Sequence, residues 1–172
     1  RKGGLKKSLI CICDPQSVAQ ADRAGTGAMI ELRIGGKTDR LHGEPFTGKF
    51  MVTGLFDGKF GETEVRHGGF TECDQGRSAV VQGVDECAIT FLLTSRRTPP
   101  FSLVQLTSCQ IDPLKFHILV AKGVNAPVAA YSPVCKNFIR VNSPGCTCAD
   151  MKRLDYRHRR KPMFPFENPS SW

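Results

Sequence analysis

Ser8-Leu9-Ile10-Cys11-Ile12-Cys13 is a continuous apolar run of strand length, and Asp14-Pro15 follows it directly. Asp is a favoured N-cap, and Pro suits the first helical position because its missing N–H is one that the helix cannot bond in any case. The run therefore reads as a buried strand feeding a helix. That helix carries Val18, Ala19 and Ala21 on its apolar side and stops at Ala24-Gly25, where a glycine can close the last turn. A second strand is expected over Ala28 to Ile34. The chain thus opens as strand, helix, strand, a unit that is normally parallel and right-handed.

Outward from this unit the pattern changes. Phe46 to Phe56 alternates as a strand and ends at the turn signal Asp57-Gly58, after which Gly61 to Gly76 is polar and glycine-rich and reads as a long loop. Ser78 to Val84 and Ala88 to Thr94, separated by Asp85-Glu86, predict an antiparallel hairpin. The two prolines of Ser95-Arg96-Arg97-Thr98-Pro99-Pro100 fix the backbone and remove donors, so that segment is a rigid loop. Ser102 caps a short helix to about Ser108, Phe116 to Val120 is a strand, Pro127 starts a helix to about Cys135, and Asn137 to Val141 is the last strand. The fold class is α/β: a mixed sheet with an opening strand-helix-strand unit, a central antiparallel hairpin portion and a closing strand-helix-strand unit. No internal repeat is present.

With 172 residues, 40% of them apolar and 23% charged, the composition is that of one globular domain spanning 1–172. A chain of this size buries roughly 70% of its unfolded surface, enough for a core without metal or disulfide staples. No apolar run approaches the roughly 20 residues that a membrane helix needs. The apolar run behind the basic stretch Arg1 to Lys7 ends too soon for a signal peptide, so a cytoplasmic location is expected. The eight cysteines, Cys11, Cys13, Cys73, Cys87, Cys109, Cys135, Cys146 and Cys148, make no C-x-x-C pair and are expected as free thiols.

The net charge is +8, and half of it sits in the Pro-rich tail 151–172, which reads as a strap on the domain surface. No recognition-helix, RRM or zinc-finger pattern accompanies that charge, so neither a nucleic-acid nor a membrane partner is expected.

No stand-alone catalytic motif is found. H-E-x-x-H and G-x-S-x-G are missing, and Gly35-Gly36-Lys37-Thr38 imitates only the end of a phosphate loop, with a strand rather than a helix expected next. The four histidines, His42, His67, His117 and His158, have no partners at metal-ligand spacing. Three segments do share one arrangement: Lys37 to Glu44, Ser95 to Pro100 and Lys122 to Pro127 are polar, cation-bearing loops that each follow a strand. Ligands of open α/β sheets bind outside strand carboxyl ends. If these loops converge, Lys37, Arg96, Arg97 and Lys122, joined by Asp39, His42 and Asn125, form a substrate-binding face suited to a carboxylate-bearing ligand. No catalytic and no metal-binding residue is assigned.

Together these segments resemble a known family. Gly35-Gly36-Lys37-Thr38-Asp39 with His42-Gly43-Glu44-Pro45, Leu93 to Arg97 with Pro100-Phe101, Ile111-Asp112-Pro113, and Lys122-Gly123 with Ala126-Pro127 and Ala129-Ala130-Tyr131 stand in the order seen in the C-terminal region of the microcystinase C (MlrC)-like metallopeptidases. Asp14-Pro15 upstream, and Pro144-Gly145 and Tyr156 downstream, extend the similarity over nearly the whole chain. The resemblance implies the C-terminal part of a two-domain, zinc-dependent peptidase for small linear peptides. In that enzyme the zinc belongs to a preceding N-terminal domain, the chain's expected partner, and this region supplies structural support and part of the substrate cleft. No zinc is expected in this chain. A non-catalytic binding module for a small anionic peptide or metabolite is the alternative.

Overall fold

The structure is a computed structural model that describes residues 7–64, 69, 71–84, 89–143 and 150–167. His67, Cys87, Cys146 and Cys148, the Asp85-Glu86 turn and Pro144-Gly145 lie outside the described residues. Among the described residues eight strands and three α-helices follow the order β1 (Ser8–Cys13), α1 (Pro15–Ala24), β2 (Met29–Ile34), β3 (Phe46–Phe56), β4 (Lys59–Gly61), β5 (Glu72–Asp74), β6 (Ser78–Gly83), β7 (Thr90–Thr94), α2 (Val104–Thr107), β8 (Ile118–Val120) and α3 (Ala126–Tyr131). Six strands make one mixed sheet in the order β2-β3-β6-β7-β1-β8, and β4 pairs with β5 in a separate two-stranded ribbon, so that β5 forms within the segment Gly61 to Gly76 expected as a loop. The α/β mixed sheet read from the sequence is the observed fold.

β1 pairs in parallel with β7 on one side and β8 on the other, while β6 runs antiparallel to β7 as the expected hairpin. Both faces of the sheet centre are covered, which is why β1 and β7 read as unbroken apolar runs. Alternate residues face opposite cores. Val81, Phe91 and Leu93 pack with Val18 and Ala21 of α1, and Val80, Leu92 and Leu9 pack with Leu106, Ala130 and Tyr131 from α2 and α3.

Two sequence expectations fail at the ends of the sheet. The opening unit is not parallel, because β2 pairs only with β3, antiparallel, at the far edge. The alternation of β2 and β3 favours the hairpin between them, and local pattern carries no information on strand order. The closing strand also does not form: Asn137 to Val141 joins no ladder among the described residues, and Ile139 is 88% and Val141 77% exposed. Apolar alternation shows only that a segment fits a half-buried pleated surface, and here β8 stays at the edge without it.

A bulge between Val52 and Gly54 shifts the β3–β6 register, and a bulged strand bends. The β2–β3 hairpin folds back over α1, so that Ser17 Oγ lies 3.1 Å from the Arg33 carbonyl oxygen. This bend carries the carboxyl end of β2 to the carboxyl end of β1.

Cys11, Cys13, Cys73, Cys109 and Cys135 are free. Burial, and secondarily the neighbouring Cys109 and Cys13, pushes the Cys11 thiol up to about 12. Cys11 should therefore resist alkylation at neutral pH in the folded protein, because the thiolate is the nucleophile. Thiol titration in denaturant should recover nearly all eight cysteines. Recovery of only one or two would reveal disulfides and overturn the expectation of free thiols.

In the basic tail, Arg159 grips Glu167 through its two terminal guanidinium nitrogens, Nη1 and Nη2, and lies 4.5 Å over the Phe166 ring, against which Tyr156 packs edge to face. The Arg159 hydrogen bond, helped by the Met163 N–H, pulls the Glu167 carboxyl from 4.5 down to about 2. A depressed carboxylate stabilises the folded form above its unfolded value and loses that contribution as pH falls through the folded one. The 156–167 latch should thus hold above about 4.5 and open as pH approaches about 2, read by hydrogen exchange at the Met163 amide. Protection that is unchanged across this window would show that the latch does not order the tail.

Candidate functional site: a loop face at the carboxyl ends of the parallel strands

The site begins at Asp14, where β1 ends. Its N–H extends the parallel ladder to the Thr94 carbonyl of β7 at 2.9 Å, and its carboxylate caps α1 by accepting the Ser17 N–H at 3.1 Å. Asp14 is only 3% exposed, yet it is ionised. Burial alone raises its pKa, but the Lys37 ammonium, the Gly35 and Ser17 N–H groups and the Ser17 hydroxyl together outweigh burial and hold it below the usual carboxylate range.

Lys37 Nζ lies 2.7 and 2.9 Å from the two Asp14 oxygens and 3.1 Å from Ser17 Oγ, which uses all three ammonium donors. Gly35 N–H reaches Asp14 Oδ2 at 2.9 Å. The loop that Lys37 opens is also pinned at its far end. Gly36 has φ +59°, and a Cβ there would lie 2.6 Å from the Glu44–Pro45 peptide, so only glycine lets the two ends of the loop touch. Within the loop, Asp39 Oδ1 accepts the N–H groups of Leu41 and His42, at 2.8 and 3.0 Å, and Asp39 Oδ2 lies 2.8 Å from His42 Nδ1.

The loop after β7 reaches the first one directly: Arg97 Nη2 donates to Thr38 Oγ1 at 3.2 Å. Its neighbour Arg96 points elsewhere and pairs with Asp74 of β5, whose other oxygen accepts the Gly76 N–H at 2.7 Å. The loop after β8 meets the second loop where Gly123 approaches Pro100; a Cβ on Gly123 would sit 3.4 Å from Pro100 Cγ. In that third loop Asn125 Oδ1 accepts from Arg140 at 3.4 Å, and Lys122 is exposed with no partner among the described residues.

The three loops therefore adjoin in series, and the seven residues expected on a binding face divide into distinct roles. Lys37 is held within the fold by Asp14, and Arg96 is turned to the β4–β5 ribbon. Arg97, whose one hydrogen-bond partner among the described residues is the neutral Thr38, and Lys122 keep uncompensated charge. Asp39 and His42 face each other, and Asn125 is tied to Arg140. Sequence reading had Asp14 only as a helix cap and did not single out Ser17 or Asp74. Asp14 and Lys37 are 23 residues apart, and Asp74 and Arg96 22 apart, so no local pattern joins them. The one available signal was an acidic residue at the end of a buried strand, where a charge needs a partner.

Among the described residues no three of His, Cys, Asp and Glu come together as metal ligands, so these residues do not fit a zinc ion. No helix of the described residues is long and apolar enough to cross a membrane.

No curated protein matches the chain. Among solved structures the chain is similar to one named "Putative metallopeptidase from MESORHIZOBIUM SP. BNC1", at 22% identity and a TM-score of 0.78 over 98% of this chain. At that identity the likeness is one of fold, and the match covers 32% of the other, longer chain. A family model described as MlrC C-terminus matches residues 2–158. That span takes in the β1 strand, the Asp14–Lys37 anchor and all three loops, and the chain belongs to the MlrC C-terminus family.

Proposed function

We propose that this chain is the C-terminal domain of a zinc-dependent, MlrC-like peptidase for small linear peptides and that its loop face forms part of the substrate cleft. The zinc and its activated water belong to another domain of such an enzyme, which is the partner of this one, and the thiol-rich chain works in a reducing, cytoplasmic setting. What supports the cleft reading is the serial contact of three loops at the carboxyl ends of β1, β7 and β8, with Arg97 and Lys122 left uncompensated there. An uncompensated guanidinium suits a peptide carboxylate, which it can grip with two parallel hydrogen bonds.

The test is steady-state kinetics of the longer enzyme carrying this domain. Arg97→Ala removes an exposed side chain, so stability should change by less than about 0.5 kcal/mol. Losing a charged hydrogen bond costs on the order of 1.5 to 3 kcal/mol, so kcat/KM should fall roughly 10- to 150-fold with the zinc content unchanged. Lys122→Ala should act in the same direction. Unchanged kinetics in both variants would remove these loops from the cleft.

A further inference from the structure

Asp39 and His42 stand apart from the cations around them, because their geometry fixes a proton. The His42 hydrogen bond, followed by the Leu41 N–H, holds the Asp39 carboxyl below its usual range, so at neutral pH Asp39 is a carboxylate. A carboxylate only accepts. The 2.8 Å contact between Asp39 Oδ2 and His42 Nδ1 therefore requires the ring proton to sit on Nδ1, and in the neutral ring this leaves Nε2 with a bare lone pair. Among the described residues no group hydrogen-bonds to Nε2, and the His42 side chain is 34% exposed.

The pair is not on a loose loop. Lys37 on Asp14 pins one end, the Gly36 contact with Glu44–Pro45 pins the other, and Thr38, next to Asp39, takes the hydrogen bond from Arg97. A side chain held this way loses little freedom when it meets a ligand.

We propose that Asp39 and His42 work as a carboxylate–imidazole pair in which Asp39 fixes the His42 tautomer, so that Nε2 is the hydrogen-bond acceptor this domain presents to an N–H group of a bound peptide. The identity of the ligand rests on the cleft reading above; the tautomer does not. Arg97 and Lys122 offer only donors to a ligand's acidic end, and His42 Nε2 adds an acceptor on the same face. Together they select for a ligand that carries both a carboxylate and an N–H, as a short linear peptide does.

Nitrogen-15 spectra of histidine-labelled protein, recorded well above neutral pH, test this. His42 should show its proton on Nδ1, whereas exposed His158 shows the ordinary preference for Nε2. Asp39→Ala should return His42 to that preference. If that variant disturbs the loop, the wild-type spectrum alone still decides: a proton on Nε2 of His42 overturns the proposal. Adding millimolar trialanine should then shift the His42 Nε2 resonance. In uniformly nitrogen-15-labelled protein, shifts at Arg97 and Lys122 without one at His42 would overturn the acceptor role and leave the cleft reading standing. A peptide that moves none of the three would overturn the ligand role together with the cleft reading.

Discussion

Asp14→Ala is expected to destabilise the domain by about 3–5 kcal/mol, the sum of a lost helix cap worth about 1 kcal/mol, a lost charged pair and an unpaired Gly35 N–H. Lys37→Met should cost less, about 2–3 kcal/mol, because the stranded Asp14 carboxylate keeps the Ser17 and Gly35 donors while Lys37 itself is 26% exposed. Denaturant unfolding measures both, and the double variant should show strong coupling. The sign of the pH dependence follows from the lowered Asp14 pKa. The contribution is present above the ordinary aspartate value and is lost as pH falls through the lower, folded one. Asp14→Asn should therefore be less stable near neutrality and show a flatter loss in acid. A cost under about 0.5 kcal/mol for Asp14→Ala would make the network a solvated surface contact.

This changes what loop cations are expected to do. By sequence alone Lys37, Arg96 and Arg97 are equivalent cations on loops that follow strands. With Asp14 in view, Lys37 is a fastening for the loop, and any loss of activity on its removal has to be separated from loss of the loop's position. Arg97 and Lys122 are the cleaner probes.

The second large effect is expected in the core. Leu92 is fully buried in the central strand β7 and packs between Leu9, Val80, Leu106 and Tyr131. Leu92→Ala removes this side chain from a site walled by two strands and two helices that cannot easily collapse, so the loss should lie near about 3–5 kcal/mol. Leu114→Ala, at a residue 72% exposed, should change stability by less than about 0.5 kcal/mol under the same conditions. Equal effects at the two positions would mean that β7 is not the centre of the sheet.

What the sequence made legible follows from the range of each interaction. β1, α1 and the β6–β7 hairpin rest on local signals: an apolar run, Asp14-Pro15 at the helix start, and alternation within each strand. All three are found, with Asp14 capping Ser17 and Gly25 closing the helix through its N–H to Ala21. The edge position of β2 rests on the bend at the β3 bulge and on packing over α1, which no window of neighbouring residues encodes. Asn137 to Val141 has the pattern of a strand but no ladder to join among the described residues. The candidate site shows the same division. Its cations and its Asp39–His42 pair lie in short motifs, whereas the partners that sort the cations into fastened and free come from more than 20 residues away.

The claim that these three loops form one peptide-binding face is tested most directly by photo-crosslinking a short linear peptide, bearing a photoreactive group beside its C-terminal carboxylate, to the protein and mapping the adducts by mass spectrometry. The adducts are predicted within 37–44, 95–100 and 122–127, and they should be lost in Arg97→Ala. Saturable labelling confined to the β4–β5 ribbon or to the tail, and unaffected by Arg97→Ala, would contradict the account.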